Sequence, residues 1–281
     1  MFNEIRKKYQ IKLLLKCIIA PILLVSLGII IGAQEDSIMI SISVICLLLF
    51  IYFLVCSNLD NNNTEVEYDR MYKEELIKRN ESRVFSEKCE FYSTEGFTSE
   101  FVARYVGLCV SRRFRSHSHI KGIYNGVRYE LAYIKDWEAF SLWRNGWVYI
   151  PSEAGMVYKF DKKVSGLPNA RMAIGDLSFT IKGEEVSFSN DKLNKISKAY
   201  ADNGQEFLSY MSPAMQENIL KLSMLLGRKM LVSFYDEHIY VYVKDKRSVL
   251  NATLFSDIDK VDCALVIEEL KTVDRIIEYL F

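Results

Sequence analysis

The sequence has no excess of either charge: 36 Lys and Arg stand against 36 Asp and Glu, and the formal net charge is zero. A neutral chain exerts no long-range pull on nucleic acid or anionic lipid, so no strong nucleic-acid signal is present. Paired cysteines are also missing. Of the six cysteines, Cys17, Cys46 and Cys56 lie in apolar runs, while Cys89, Cys109 and Cys263 are scattered without a Cys-x-x-Cys pair. Such isolated thiols suit a reducing cytoplasm. The chain contains no Gly-x-Ser-x-Gly, His-Glu-x-x-His or Walker pattern, and Gly166-Leu-Pro-Asn169 lacks the Lys and Ser/Thr of a phosphate-cradling loop. These absences disfavour an enzyme, and no cofactor is expected.

The most informative absence is local. From Leu13 to Gly32 the only charge is Lys16, and from Ile38 to Ser57 there is none. At 1.5 Å per residue each run can cross a hydrocarbon core about 30 Å thick. Residues 13–57 therefore read as a two-helix transmembrane hairpin turned by Ala33-Gln-Glu-Asp-Ser37. A cleaved signal peptide fits less well, because the first run exceeds an apolar signal core of about 7–15 residues and a second run follows at once. Pro21, Ser26 and Gly28 are ordinary in lipid-embedded helices, and Lys16 can snorkel to the headgroups. Without an intramembrane acid or a broken helix, an anchor is favoured over a transport path.

Orientation follows from the bases. Arg6, Lys7, Lys8, Lys12 and Lys16 crowd the start of the first run, whereas the turn carries Glu35 and Asp36. The positive-inside rule places both termini in the cytoplasm and predicts a two-span protein of the inner membrane. Setting aside those five bases, Glu4 and the two acids of the turn, 31 bases and 33 acids remain after Ser57.

Residues 1–12 form a basic cytoplasmic segment, 58–85 a polar linker and helical stalk, and 86–281 a cytoplasmic domain, divisible into lobes at 86–185 and 186–281. In the stalk, Asp69 and Lys73, Glu74 and Lys78, and Glu75 and Arg79 form i,i+4 pairs worth about 0.2–0.5 kcal/mol each. Asn125-Gly126 and Asn145-Gly146 each separate β-type runs and predict type I′ hairpins, hence an antiparallel meander over Ile120–Ile150. Val127, Tyr129, Leu131 and Tyr133 alternate with polar residues, and Trp137, Trp143 and Trp147 cluster there as cross-strand core pairs. Met156–Phe160, Ser178–Ile181 and Val186–Phe188 read as further short strands.

Toward the C-terminus, Ser212 caps a helix opened by Pro213 and closed by Gly227, with Met215, Ile219, Leu222 and Leu226 on one face. A hairpin follows, Met230–Tyr235 and Ile239–Val243, turned at Asp236-Glu237. The stripe Val266, Leu270, Val273, Ile277 and Leu280 predicts a final helix over about Asp257–Leu280. The class is α+β: two transmembrane helices, a helical stalk, and antiparallel β-hairpins packed by helices.

The order of these parts resembles a bacterial membrane-anchored family known only as domain of unknown function 3137. The resemblance lies in Tyr72-Lys-Glu-Glu-Leu-Ile77, Ile120-Lys-Gly-Ile-Tyr-Asn-Gly-Val-Arg-Tyr-Glu130, and Ala201-Asp202 followed by Tyr210-Met-Ser-Pro213. It continues in Phe234-Tyr-Asp-Glu-His-Ile-Tyr-Val241 and Leu254-Phe255, while Trp143–Ile150 is shorter than the family pattern. The resemblance implies two N-terminal spans and a cytoplasmic domain of unassigned activity, and it supplies no catalytic residues.

Among candidate sites, Ser111–Lys121 holds Arg112, Arg113, Arg115 and Lys121, which together could grip a phosphate-bearing ligand. His117-x-His119 offers two ligands of a metal but no third, so no metal site is expected. His238 beside Asp236 reads as turn chemistry, not as a base and its orienter. The favoured function is a membrane-anchored binding, scaffold or sensing module. Its partners are the lipid bilayer and either an unidentified protein or a second copy met through the hairpin or stalk. The alternative is a membrane-tethered enzyme or ligand-gated effector working through the arginine patch.

Overall fold

The structure is a computed structural model that describes residues 63–84, 89–142, 146–161, 166–245, 267–268 and 271–281, with isolated positions between 4 and 45. The expected hairpin over 13–57 lies almost wholly outside the described residues. So do the Asn145 turn, Leu254-Phe255, the first part of the final helix, and the side chains of the three tryptophans. Among the described residues, no helix is long and apolar enough to cross a membrane. The chain divides into two compact units, Met1–Tyr72 with Ala252–Val261, and Lys73–Asn251 with Asp262–Phe281.

Helix α1 (Asn63–Val84) forms where the acid-to-base pairs predict it, with Glu75 Oε1 and Arg79 Nε 2.7 Å apart. It is less exposed than a free stalk: Lys73, Leu76 and Ile77 are buried. Lys73 Nζ lies 3.3 Å from His117 Nδ1.

The second unit is built on one sheet of nine strands. In chain order these are β1 (Glu90–Tyr92), β2 (Arg115–Tyr124), β3 (Val127–Leu142), β4 (Gly146–Phe160), β5 (Ala170–Ile174), β6 (Glu184–Val186), β7 (Ser197–Ala201), β8 (Met230–Tyr235) and β9 (His238–Lys244). The spatial order is β1-β2-β3-β4-β9-β8-β5-β7-β6, and every neighbouring pair is antiparallel. Helix α2 (Ser99–Phe101) runs on as a π-helical turn over Val102–Val106. The remaining helices are α3 (Asp191–Ile196), α4 (Gly204–Tyr210), α5 (Pro213–Leu226) and α6 (Thr272–Leu280). The α+β class and the large antiparallel sheet are as expected.

Local sequence explains the punctuation. Asn125 (φ 49°) and Gly126 (φ 74°) make the two-residue turn between β2 and β3, and Asp236 (φ 52°) with Glu237 (φ 60°) does the same between β8 and β9. Helix α5 starts at Ser212, whose Oγ accepts from Met215 N at 3.2 Å, and stops at Gly227 in the left-handed region.

Three expectations change. The short piece at Met156–Phe160 belongs to a strand of 15 residues. Pro151 is tolerated next to the register shift between Lys135 and Trp137, where the ladder is already interrupted. Gly155 is no break: a Cβ there would run into the Val243 carbonyl oxygen, so glycine lets β4 and β9 approach. Second, the segment expected as a strand at Ser178–Ile181 makes only an isolated bridge, Phe179 to Leu108. Third, β5 is a strand that was not expected, and it carries no alternation that would reveal it, because all of it is buried.

Both faces of the sheet are covered. One face carries the apolar row Ile120, Leu131, Tyr158, Val241, Val232, Met172, Ala199 and Val186, each opposite the next across the ladder. Helices pack here, with Phe207 5.2 Å from Phe234 and Phe281 5.3 Å from Phe160 between ring centres. The other face holds Ala132, Ile134, Val157, Tyr242, Leu231 and Ala173, roofed by Phe97, Val102, Val106, Leu108 and Leu177. This second roof is why Ala132 and Ile134 are buried together with Leu131 and Tyr133, and why the alternation read from Val127 onward fails halfway along β3.

Candidate functional site

On the face roofed by Phe97, Val102, Val106 and Leu108, one row of cross-strand neighbours is polar along its whole length: Glu90, Lys121, Glu130, Lys159, Tyr240, Ser233, Arg171, Tyr200 and Glu185. Its middle lies beneath the roof. Ser233 Oγ donates to Tyr105 O at 2.6 Å, and Arg171 donates to Arg104 O at 2.8 Å and Thr180 O at 2.9 Å. Burial lowers the pKa of Arg171 and pushes the Tyr240 phenol up to about 12.

Where the roof ends, at the β1 side, the row opens into a cleft of about 420 Å³. It is lined by Glu90, Lys121, Gly122, Ile123, Arg128, Tyr129, Glu130, Lys159 and Asp161. Gly122 leaves room for the phenol of Tyr129, since a Cβ there would stand 2.5 Å from its oxygen. Glu130 is the best-connected group. It accepts from His119 Nε2 at 3.0 Å and from Lys159 Nζ at 2.6 Å, and these bonds, the histidine's first, hold its carboxyl at about 2 against partial burial. The other two carboxylates are also engaged. Glu90 accepts from the Tyr92 hydroxyl at 2.9 Å, and Asp161 lies 3.9 Å from His238 Nε2.

The cations are unevenly used. Lys159 belongs to Glu130, whereas among the described residues Lys121 and Arg128 make no ion pair. Lys121 Nζ sits over the Tyr92 ring, 5.3 Å from its centre.

The predicted phosphate patch is divided by the structure. Arg112 and Arg113 sit on a turn stapled by Asp136, which accepts from Ser111 N at 2.9 Å and Ser111 Oγ at 2.6 Å. Arg115 begins β2, and Lys121 lies six residues further, about 20 Å along an extended strand. Only Lys121 of the four lines the cleft. A small crevice beside Arg171, lined by Asn169, Lys182, Tyr200, Asp202, Phe234 and Tyr235, has no room beyond a single water.

The two histidines of the pair part company at a bulge. Ser118 takes φ 59°, and the register shifts between His117 and Ile120. His117 packs on Tyr133 and approaches Lys73, while His119 turns to Glu130 and Phe97. His238 Nδ1 contacts Asp236 O at 2.6 Å, which is turn chemistry as expected. Among the described residues, no three His, Cys, Asp or Glu side chains are grouped to hold a metal ion.

Sequence reasoning missed Glu90, Arg128, Glu130, Lys159 and Asp161. Part of the signal was present: a two-residue turn at Asn125-Gly126 pairs Tyr124 with Val127, and therefore Lys121 with Glu130. Nothing local sets the register of β4 or β1.

Fold and cleft together define an α+β protein in which one end of a nine-stranded antiparallel sheet presents an alternating row of charges to solvent. Residues 154–281, a little under half of the chain, match the family described as protein of unknown function (DUF3137). The match starts inside β4 and takes in Ala201-Asp202, Tyr210–Pro213 and Phe234–Val241; Tyr72–Ile77 and Ile120–Glu130 lie outside it. No curated protein and no solved structure matches the chain.

Proposed function

We propose that this protein is a binding or sensing module, held at the cytoplasmic membrane by its two apolar runs, whose sheet domain recognises its ligand or partner from the cytoplasmic side. The observation that carries the reading is the use of charge in the cleft. Every carboxylate there has a partner, and Glu130, held at about 2, stays ionised near neutral pH and is a poor proton carrier there. What the cleft offers is recognition by fixed charges.

The anchor is supported by the two uncharged runs and the basic start of the chain. The described positions of the first run agree in character: Pro21, Ile22, Val25, Ser26 and Ile29 are helical, and Ile22 and Ile29 expose more than half of their surface. Lipid would cover such side chains, and a second copy or a protein partner could meet the same helices. A fluorescent reporter fused after Phe281, combined with membrane extraction, tests the proposal. Fluorescence in the cytoplasm and release from membranes only by detergent are expected. Release by carbonate wash alone, or a reporter active only outside the cytoplasm, would overturn the anchored reading.

A further inference from the structure

We infer that the cleft is a site for a phosphomonoester, bound between Lys121 and Arg128. The inference deepens the binding-module reading and rests on it for its biological sense. Lys121 lies opposite Glu130, and Arg128 opposite Ile123, so the two cations are diagonal neighbours on β2 and β3. Diagonal neighbours on one face stand about 7–8 Å apart at the backbone, within reach of two long side chains converging on one anion. Glu130 lies between them but is already claimed by His119 and Lys159. Glu90 is engaged with Tyr92, and Asp161 lies toward His238. The three cations of the lining balance its three carboxylates, but Lys121 and Arg128 make no ion pair among the described residues and are the donors left to meet an anion.

Arginine supplies a planar pair of N–H donors and lysine a point charge, a combination that suits the oxygens of a dianionic phosphate. The remainder of the lining includes Ile123, on the same face as Lys121, which gives the organic part of the ligand an apolar wall. The volume of about 420 Å³ falls in the range of small-molecule sites, and inorganic phosphate alone would leave most of it empty. A phosphate carrying a ring or short chain fills both halves. The exposed arginines at 112, 113 and 115 play no part in this site.

Titration of the full chain in detergent with phenyl phosphate, followed by calorimetry at low salt, tests the assignment. Phenyl phosphate is expected to bind, phenol is not, and Lys121→Gln and Arg128→Gln are each expected to weaken binding by roughly tenfold. Lys121→Arg, which keeps the charge, should retain binding, and the triple variant Arg112→Gln, Arg113→Gln, Arg115→Gln should match the parent. The site assignment is overturned by an absence of binding at concentrations on the order of 10 mM. Equal binding of phenol, or loss of affinity in the triple variant comparable to that in Lys121→Gln, also overturns it. The titration is indifferent to the membrane, so its failure is distinguishable from failure of the anchor.

Discussion

Glu130 shows how one side chain can set the chemistry of a surface. It sits on β3 with a histidine to one side and a lysine across the ladder, and the two hydrogen bonds outweigh the cost of partial burial. Because its folded pKa is depressed, its stabilising contribution is complete above the ordinary carboxylate value and is lost as pH falls toward about 2. The variant Glu130→Gln removes the charge. It is expected to be less stable than the parent at pH 7, with the difference shrinking as pH falls from about 4.5 to about 2, as protonated Glu130 comes to resemble glutamine. Denaturant midpoints across that range measure it, and a constant difference would show that the charge is not what matters. Burial acts oppositely at Asp274, whose carboxyl is raised to about 6, chiefly by desolvation and further by Glu278.

At the scale of elements, the two-residue hairpins are placed by backbone chemistry that side chains only partly obey. Asn125-Gly126 is the favoured pair for two positive φ angles, but Asp236-Glu237 places a glutamate, with φ 60°, where glycine is preferred. A left-handed L-residue costs roughly 1–2 kcal/mol, and glycine loses part of that saving to its greater freedom in the unfolded chain. Glu237→Gly is therefore expected to stabilise the protein by about 0.5–1 kcal/mol, read as a higher denaturant midpoint at unchanged slope. A destabilised variant would mean that the Glu237 side chain makes a contact worth more than the strain.

For the molecule as a whole, the organising fact is a sheet roofed on both faces, by helices on one and by the 97–110 segment on the other. Arg171 ties the second roof down. It is 6% exposed, and its guanidinium bonds two carbonyls from separate stretches, Arg104 and Thr180. Arg171→Met keeps much of the apolar stem but leaves both carbonyls without their donor. Hydrogen bonds from a charged group are worth about 1.5–3 kcal/mol each, so the loss should fall in that range or above. Hydrogen exchange should locate it: faster exchange over 102–108 and 179–181, with α5 protected as in the parent. Uniform loss of protection would show that the two roofs unfold together.

The sequence alone determined what depends on near neighbours in the chain. The Asn125-Gly126 turn, the Ser212 and Gly227 caps, the α1 helix and the hairpin at Asp236-Glu237 are all local, because turn angles, capping bonds and i,i+4 pairs are settled within a few residues. With the Asn125-Gly126 turn came half of the cleft, since that turn alone sets Lys121 against Glu130. Tertiary structure decided the rest. Lys159 and Glu90 join the row only through pairings made across long connections and past the bulges at Ser118 and Trp137. The strand β5 escaped detection because two roofs remove the alternation that water on one face would impose. The arginines at 112, 113 and 115 share a sequence stretch with Lys121 but no site with it, because an extended strand carries neighbours in the chain far apart in space.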